Sequence, residues 1–268
     1  MLVDIYMKRE LTKEEQDHLH VLKTQDNLEI RCMDRVFPEE ELIRLTEQAD
    51  CNKMKLPVII CISDDGDFLR KVWDIGLPVI TCLGGTEGSE QAGGMMVGHY
   101  AVENLCALDR EYLETVYCRK NGIPRRIVTT RRLEIRELCP ADLDMLMEIY
   151  DGNEKTPFFQ SFYENREEAE AYLNHYIENV YDFYGYGIWG ICLKPSFGNM
   201  DADKQGMEEP IIGIMGFTPR EDALELGYAL HKRFQGQGIV TEAKEASTEY
   251  AEQVLDCHNI IIVRADCQ

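Results

Sequence analysis

Apolar positions along the chain keep two different rhythms. Leu56-Pro57-Val58-Ile59-Ile60-Cys61-Ile62 is a continuous apolar run, as a strand covered on both faces requires. Similar short runs predict strands at 2–7, 28–33, 77–83 and 95–100. Helical spacing of three and four predicts helices at 13–22, 38–49 and 67–75. Strands alternating with helices point to a mainly parallel sheet. A further amphipathic helix spans 108–117 and stops at Asn121-Gly122-Ile123-Pro124.

Beyond residue 130 the rhythm changes. Arg132-Leu133-Glu134-Ile135-Arg136-Glu137-Leu138 alternates as a half-buried strand does. A helix over 143–150 carries Leu143, Leu146, Met147 and Tyr150 on one stripe. A second, over 164–181, sets Ala171, Tyr172, His175, Tyr176 and Val180 near one face, with His175 read as a core-edge histidine. Strands follow at 186–193, 211–217 and 224–230, with a polar hairpin loop over 194–209. A helix from Ile239 and a last strand at 260–263 complete the order. The fold class is therefore α/β. It divides into a parallel-sheet domain over 1–120, a linker over 121–130, and a mixed-sheet domain over 131–268.

Composition narrows the classes. The chain has 268 residues and 44% hydrophobic content, enough for packed cores. No apolar run approaches the roughly 18 residues of a membrane helix, and the start lacks the pattern of a signal peptide. Ten cysteines occur without a CxxC pair, and the six histidines lack zinc-ligand spacing. The expectation is free thiols, no metal and a cytoplasmic location. Net charge is −21, made of −7 over 1–130 and −14 over 131–268. That acidity opposes binding to nucleic acid and to anionic membranes, and it favours a cationic amine. Solubility alone explains it equally well. Seven basic residues between Arg119 and Arg136 have no interleaved aromatics, so they read as a connector.

One stretch carries chemistry. From Leu224 to Thr248 the chain runs strand, glycine loop, helix. Glycines let backbone approach an anion closely, and the first amide hydrogens of the helix point at it. No Gly-Lys-Ser/Thr ends the loop, so it is not a P-loop, and the glycine spacing is not that of a dinucleotide fingerprint. Arg233-x-x-Gly236-x-Gly238 resembles the acyl-CoA loop of the GNAT superfamily of N-acyltransferases. Val240-Thr241-Glu242-Ala243 resembles the branch containing the ribosomal-protein N-acetyltransferases. The element order and the opening Leu133-x-Ile135-Arg136-x-Leu138 are similar to the same family, from Arg132 to Gln268, about half the chain.

The resemblance implies acetyl-CoA as co-substrate and direct attack by a small-molecule or peptide amine. Tyr228, Ala229 and Leu230 would pair with the pantetheine arm. Arg233, Phe234, Gln235, Gly236, Gln237 and Gly238 would receive the diphosphate. Glu225 is the expected base, or else an outward residue paired across the sheet. Glu242 reads as a structural hydrogen-bonding residue. Phe158, Phe159 and Tyr163, with Phe162, would frame the acceptor, unless they only pack between helices. The family's pattern continues past the last strand, so an incomplete sheet and a homo-oligomer through that strand are expected. A non-catalytic acyl-CoA-binding or partner-binding module is the alternative.

The first domain faintly resembles the later half of a haloacid-dehalogenase-type phosphatase domain, in Ser63 and Gly76-Leu77-Pro78-Val79-Ile80. The family's Asp-x-Asp nucleophile is missing, since Asp4-Ile5-Tyr6 lacks the second Asp. It therefore reads as a Rossmann-like module without phosphatase chemistry. Within Ser63-Asp64-Asp65-Gly66-Asp67, Asp64 and Asp65 either cap the next helix or hold Mg²⁺, and the cap is favoured.

Overall fold

The computed structural model describes residues 2–26, 28–33, 59–84, 96–152, 165–197 and 210–263. The helix expected at 38–49 lies outside these residues. The chain forms two compact units, Met1–Ile123 and Pro124–Gln268.

In the first unit, five parallel strands are ordered β2-β1-β3-β4-β5. They are β1 (Leu2–Tyr6), β2 (Glu29–Met33), β3 (Ile59–Ser63), β4 (Val79–Cys82) and β5 (Ala101–Val102). The helices are α1 (Lys13–Gln25), α2 (Gly66–Asp74) and α3 (Arg110–Lys120). This is a doubly wound order, with its reversal between β1 and β3. Alternate residues of β3 explain its unbroken apolar run. Ile60 and Ile62 pack with Leu19, Leu22, Leu113 and Val116 of α1 and α3. Ile59 and Cys61 pack with Phe68, Leu69 and Val72 of α2.

At the end of β3, Asp65 caps α2. Its Oδ1 accepts from the amides of Asp67 (3.1 Å) and Phe68 (3.3 Å). Asp64 accepts the Lys8 amide at 2.7 Å. The strand expected at 95–100 is not formed over 96–100; β5 begins at Ala101. The reason lies at Gly98, whose φ of +74° turns the chain against the Trp73 and Val79 side chains. A Cβ there would stand 3.1 Å from each. That turn displaces the pairing by a few residues.

The second unit is a six-stranded mixed sheet ordered β11-β10-β9-β8-β7-β6. Its strands are β6 (Arg126–Thr129), β7 (Leu133–Glu137), β8 (Ile188–Leu193), β9 (Ile211–Arg220), β10 (Ala223–Leu230) and β11 (Ile260–Ile262). All neighbours are antiparallel except β10 and β11. The edge strand β6 lies within the stretch read as a connector. Ile127 and Val128 pack on the core, which gives it an apolar reason to pair.

Helices α4 (Leu143–Gly152) and α5 (Arg166–Tyr184) contribute to one apolar cluster, with Leu138, Ile211, Ile214 and Ala229 of the sheet. Helix α6 (Ile239–Gln253) contributes to the other, with Leu224, Leu226 and Leu230. Successive residues of β10 thus point to opposite faces. The turn from β7 into α4 is fixed by a buried fork. Arg136 donates through both terminal nitrogens to Asp142 at 2.8 Å, and Asp142 also accepts the Cys139 amide at 2.8 Å.

The inward face of α5 is Ala169, Leu173, Tyr176 and Tyr181. His175 is exposed and bonded to Asn179, not at the core edge. The 3.6-residue period brings Leu173 and Tyr176 together and carries His175 outward. No helix among the described residues is long and apolar enough to cross a membrane.

Candidate active site

The site grows from the crossing between β10 and α6. Antiparallel pairing with β9 holds β10 along its whole length, from Ala223 opposite Arg220 to Leu230 opposite Gly213. On its other side, among the described residues, β11 pairs in parallel with Leu224 to Leu226, and the Val263 amide donates to Leu226 O at 3.1 Å. Tyr228 packs on the α6 side and Ala229 on the α4–α5 side.

After Leu230 the chain makes a short 3-10 turn, Lys232–Phe234. His231 caps it by accepting the Arg233 amide at Nδ1, 3.3 Å away. The Gln235 side chain reaches back to Leu230 O at 3.0 Å, and the Gln237 side chain to Arg233 O at 2.9 Å. Gly236 and Gly238 both take φ of +72°, a region that side chains disfavour. Gly238 is the N-cap of α6, and no side chain caps the helix. The first amide hydrogens of α6 are thus left to an external acceptor, reinforced by the helix dipole. Residues Gln235 through Gly238 are exposed. Arg233 is exposed beside it, and Phe234 stands edge-on to His231 at 6.0 Å.

Glu225 sits on β10 at 8% exposure. Its Oε2 receives Arg220 Nε at 2.6 Å across the β9–β10 hairpin. By strand alternation it shares a face with Ala229, the face that α4 and α5 cover. Phe158, Phe159 and Tyr163 lie outside the described residues.

Two groups complete the cradle that the glycine pattern did not announce. Glu242, in the first turn of α6, accepts from Thr130 Oγ1 (2.6 Å), the Arg132 amide (3.0 Å) and Arg132 Nε (2.6 Å). Burial opposes its ionisation, but these donors outweigh burial and lower its pKa. The structural role read for Glu242 fits this. Arg132 also donates through Nη1 to Gln237 O at 3.0 Å. Nothing in the sequence singled out Arg132 among its basic neighbours, because its partners lie more than a hundred residues away.

A helix head with bare amides, two left-handed glycines and nearby guanidinium groups suits the diphosphate of a thioester carrier. Residues 132–267 match the acetyltransferase (GNAT) domain model, and the chain belongs to that family. It is an acyl-CoA-dependent acetyltransferase, with acetyl-CoA as its co-substrate. Among curated proteins it is similar to the [ribosomal protein uS5]-alanine N-acetyltransferase of Escherichia coli (strain K12). Identity there is 25% over 146 residues, covering 53% of this chain and 71% of the relative. Among solved structures, a Salmonella typhimurium acetyl transferase that modifies the N-terminal serine of ribosomal protein L7/L12 is 22% identical. It aligns with a TM-score of 0.40 over 54% of this chain and 78% of that one. A GNAT-family acetyltransferase from Bacillus anthracis aligns at 19% identity and a TM-score of 0.39, over 50% and 71% of the two chains.

Proposed function

We propose that this protein acetylates the terminal amine of a peptide or protein, in the manner that the names of its relatives describe. The observation carrying this reading is the exposed head of α6, with Gly236 and Gly238 left-handed and no capping side chain. Arg233 through Gly238 would receive the diphosphate. Tyr228, Ala229 and Leu230 of β10 would pair with the pantetheine arm, as an added strand pairs with an open edge.

When bound, acetyl-CoA supplies an activated acetyl thioester. Glu225 is our candidate for the proton acceptor of the attacking amine, directly or through a water. It lies on the strand that leads into the cradle, and on the sheet face under α4 and α5, where we place the acceptor. Phe158, Phe159 and Tyr163, in the connection between those helices, are the proposed acceptor contacts. The net charge of −21 favours a cationic acceptor and opposes nucleic acid.

The same reading covers the rest of the molecule. Residues 1–120 would form a Rossmann-like module without phosphatase chemistry. Asp4 there is buried and held by Arg31 Nε at 2.7 Å, which suits a structural carboxylate. Residues 121–123 would lead into the transferase domain, which opens with β6 and spans 124–268. Ile261 and Ile262 are exposed on β11, and an edge strand of this kind offers a seam for a second copy. Cys32, Cys82, Cys106, Cys139 and Cys257 are thiols, as a cytoplasmic protein would keep them.

A second reading, binding without turnover, draws on the Arg220–Glu225 ion pair, which occupies the proposed base. Thiol release from acetyl-CoA separates the two. Peptides with a free N-terminal alanine or serine should release thiol and gain an acetyl group, while N-blocked copies should not. Equal release from blocked and free peptides would refute the amine assignment. Binding of CoA with no release from any amine would leave the non-catalytic reading.

A further inference from the structure

The corner between β6 and β7 grips the head of α6. Thr130 N donates to Leu133 O and Leu133 N to Thr130 Oγ1, each at 2.9 Å, so the corner is a closed turn. Lys194 Nζ adds a bond to Thr130 O. From this turn Arg132 reaches two points of the cradle at once. Its Nε and amide hold the two oxygens of Glu242, and its Nη1 holds the carbonyl of Gln237. Its Nη2 lies against Gly238, 3.7 Å from where a Cβ would stand. The guanidinium therefore spans the loop and the first turn of the helix.

The placement answers an electrostatic problem. A carboxylate in the first turn of a helix is favourable for the helix dipole alone. Beside a bound diphosphate the same carboxylate repels the ligand. Glu242 is that carboxylate, and Arg132 is the cation that neutralises it.

We propose that Arg132 is a positioning residue for acetyl-CoA. It holds Gln237 and Glu242 so that the amides of α6 stay aimed at the diphosphate, and it cancels the repulsion that Glu242 would exert. The proposal rests on the reading of Arg233–Gly238 as the diphosphate cradle. It adds a residue from outside the loop and a role for the acid within the helix.

The test is calorimetric titration of CoA into the full-length protein and three variants, each checked for folding by its thermal melt. Arg132→Gln should raise Kd about tenfold at low salt, with a smaller effect at high salt. Its KM for acetyl-CoA should rise more than its kcat falls. Arg132→Lys, which keeps the charge but not the fork that reaches both Glu242 and Gln237, should fall between the wild type and Arg132→Gln. Adding Glu242→Gln to Arg132→Gln should recover most of the lost affinity, because the repelling charge has gone with its partner. A merely structural clamp would not be rescued by losing its second half. A double variant as weak as Arg132→Gln, or an Arg132→Gln that binds like the wild type, overturns the proposal while the cradle stands. A wild-type protein that does not bind CoA overturns the cradle and the proposal together.

Discussion

Glu225 is the proposed acceptor of the amine's proton, and Arg220 is already bonded to it. Arg220 occupies a carboxylate oxygen that the proton would need, so it must move aside or give way to a cationic acceptor. The Arg220 side chain is 65% exposed, so it is free of the packing that would lock it there. Glu225→Gln should therefore slow turnover about a hundredfold and flatten the acid limb of the kcat/KM profile; an unaltered rate at every pH would remove Glu225 as the base. In the first unit, the Arg9–Glu15 pair is a different kind of carboxylate site. Arg9 holds both Glu15 oxygens, and the Thr12 and Leu105 amides add to it. The Arg9 bond is the largest cause that lowers the Glu15 pKa to about 2. A depressed folded pKa gives stability that is present above the ordinary glutamate range, near 4.5, and is lost as pH falls towards about 2. Glu15→Gln should cost about 3 kcal/mol at neutral pH and remove that acid dependence, measured by denaturant melts from pH 7 to pH 2. A variant that keeps the wild-type acid profile would contradict this assignment. Residues of this kind were hard to read beforehand. Asp65 was legible because a cap is local. Arg132 and Arg220 were not, since each owes its role to the fold: Arg132 meets its partner across 110 positions, and Arg220 meets Glu225 across a hairpin.

At the scale of elements, what the sequence made legible followed from period and punctuation. The alternation of 224–230 placed β10, and Gly236 with Gly238 placed the head of α6. The long apolar run 56–62 foretold a strand packed on both faces, because β3 lies inside a doubly wound sheet. Three departures have physical causes. β5 is displaced to Ala101 because Gly98 turns the chain against Trp73. His175 is exposed because the inward stripe of α5 runs through Leu173, Tyr176 and Tyr181. The basic stretch before residue 130 contains β6, since Ile127 and Val128 offer enough apolar surface to extend the sheet.

At the scale of the whole molecule, each unit has apolar clusters of its own and one tryptophan. Trp73 lies in the first, under Lys120 Nζ at 3.2 Å from its ring centroid. Trp189 is buried in the second, edge-on to Phe217 and Tyr250. Trp73→Phe and Trp189→Phe therefore leave one reporter apiece for the two units. Saturating CoA should raise the melting transition seen by Trp189 by several degrees and leave the transition seen by Trp73 within a degree. A rise of the Trp73 transition alone would place the ligand in the wrong half. The central claim is tested most directly by calorimetric titration of acetyl-CoA into the wild type and Gly236→Asp. That substitution puts a side chain and a negative charge at the proposed diphosphate position, at a φ of +72° with open space around it. The account predicts saturable binding, one ligand per chain, that Gly236→Asp abolishes; binding of equal strength in both proteins, or none in the wild type, would contradict it.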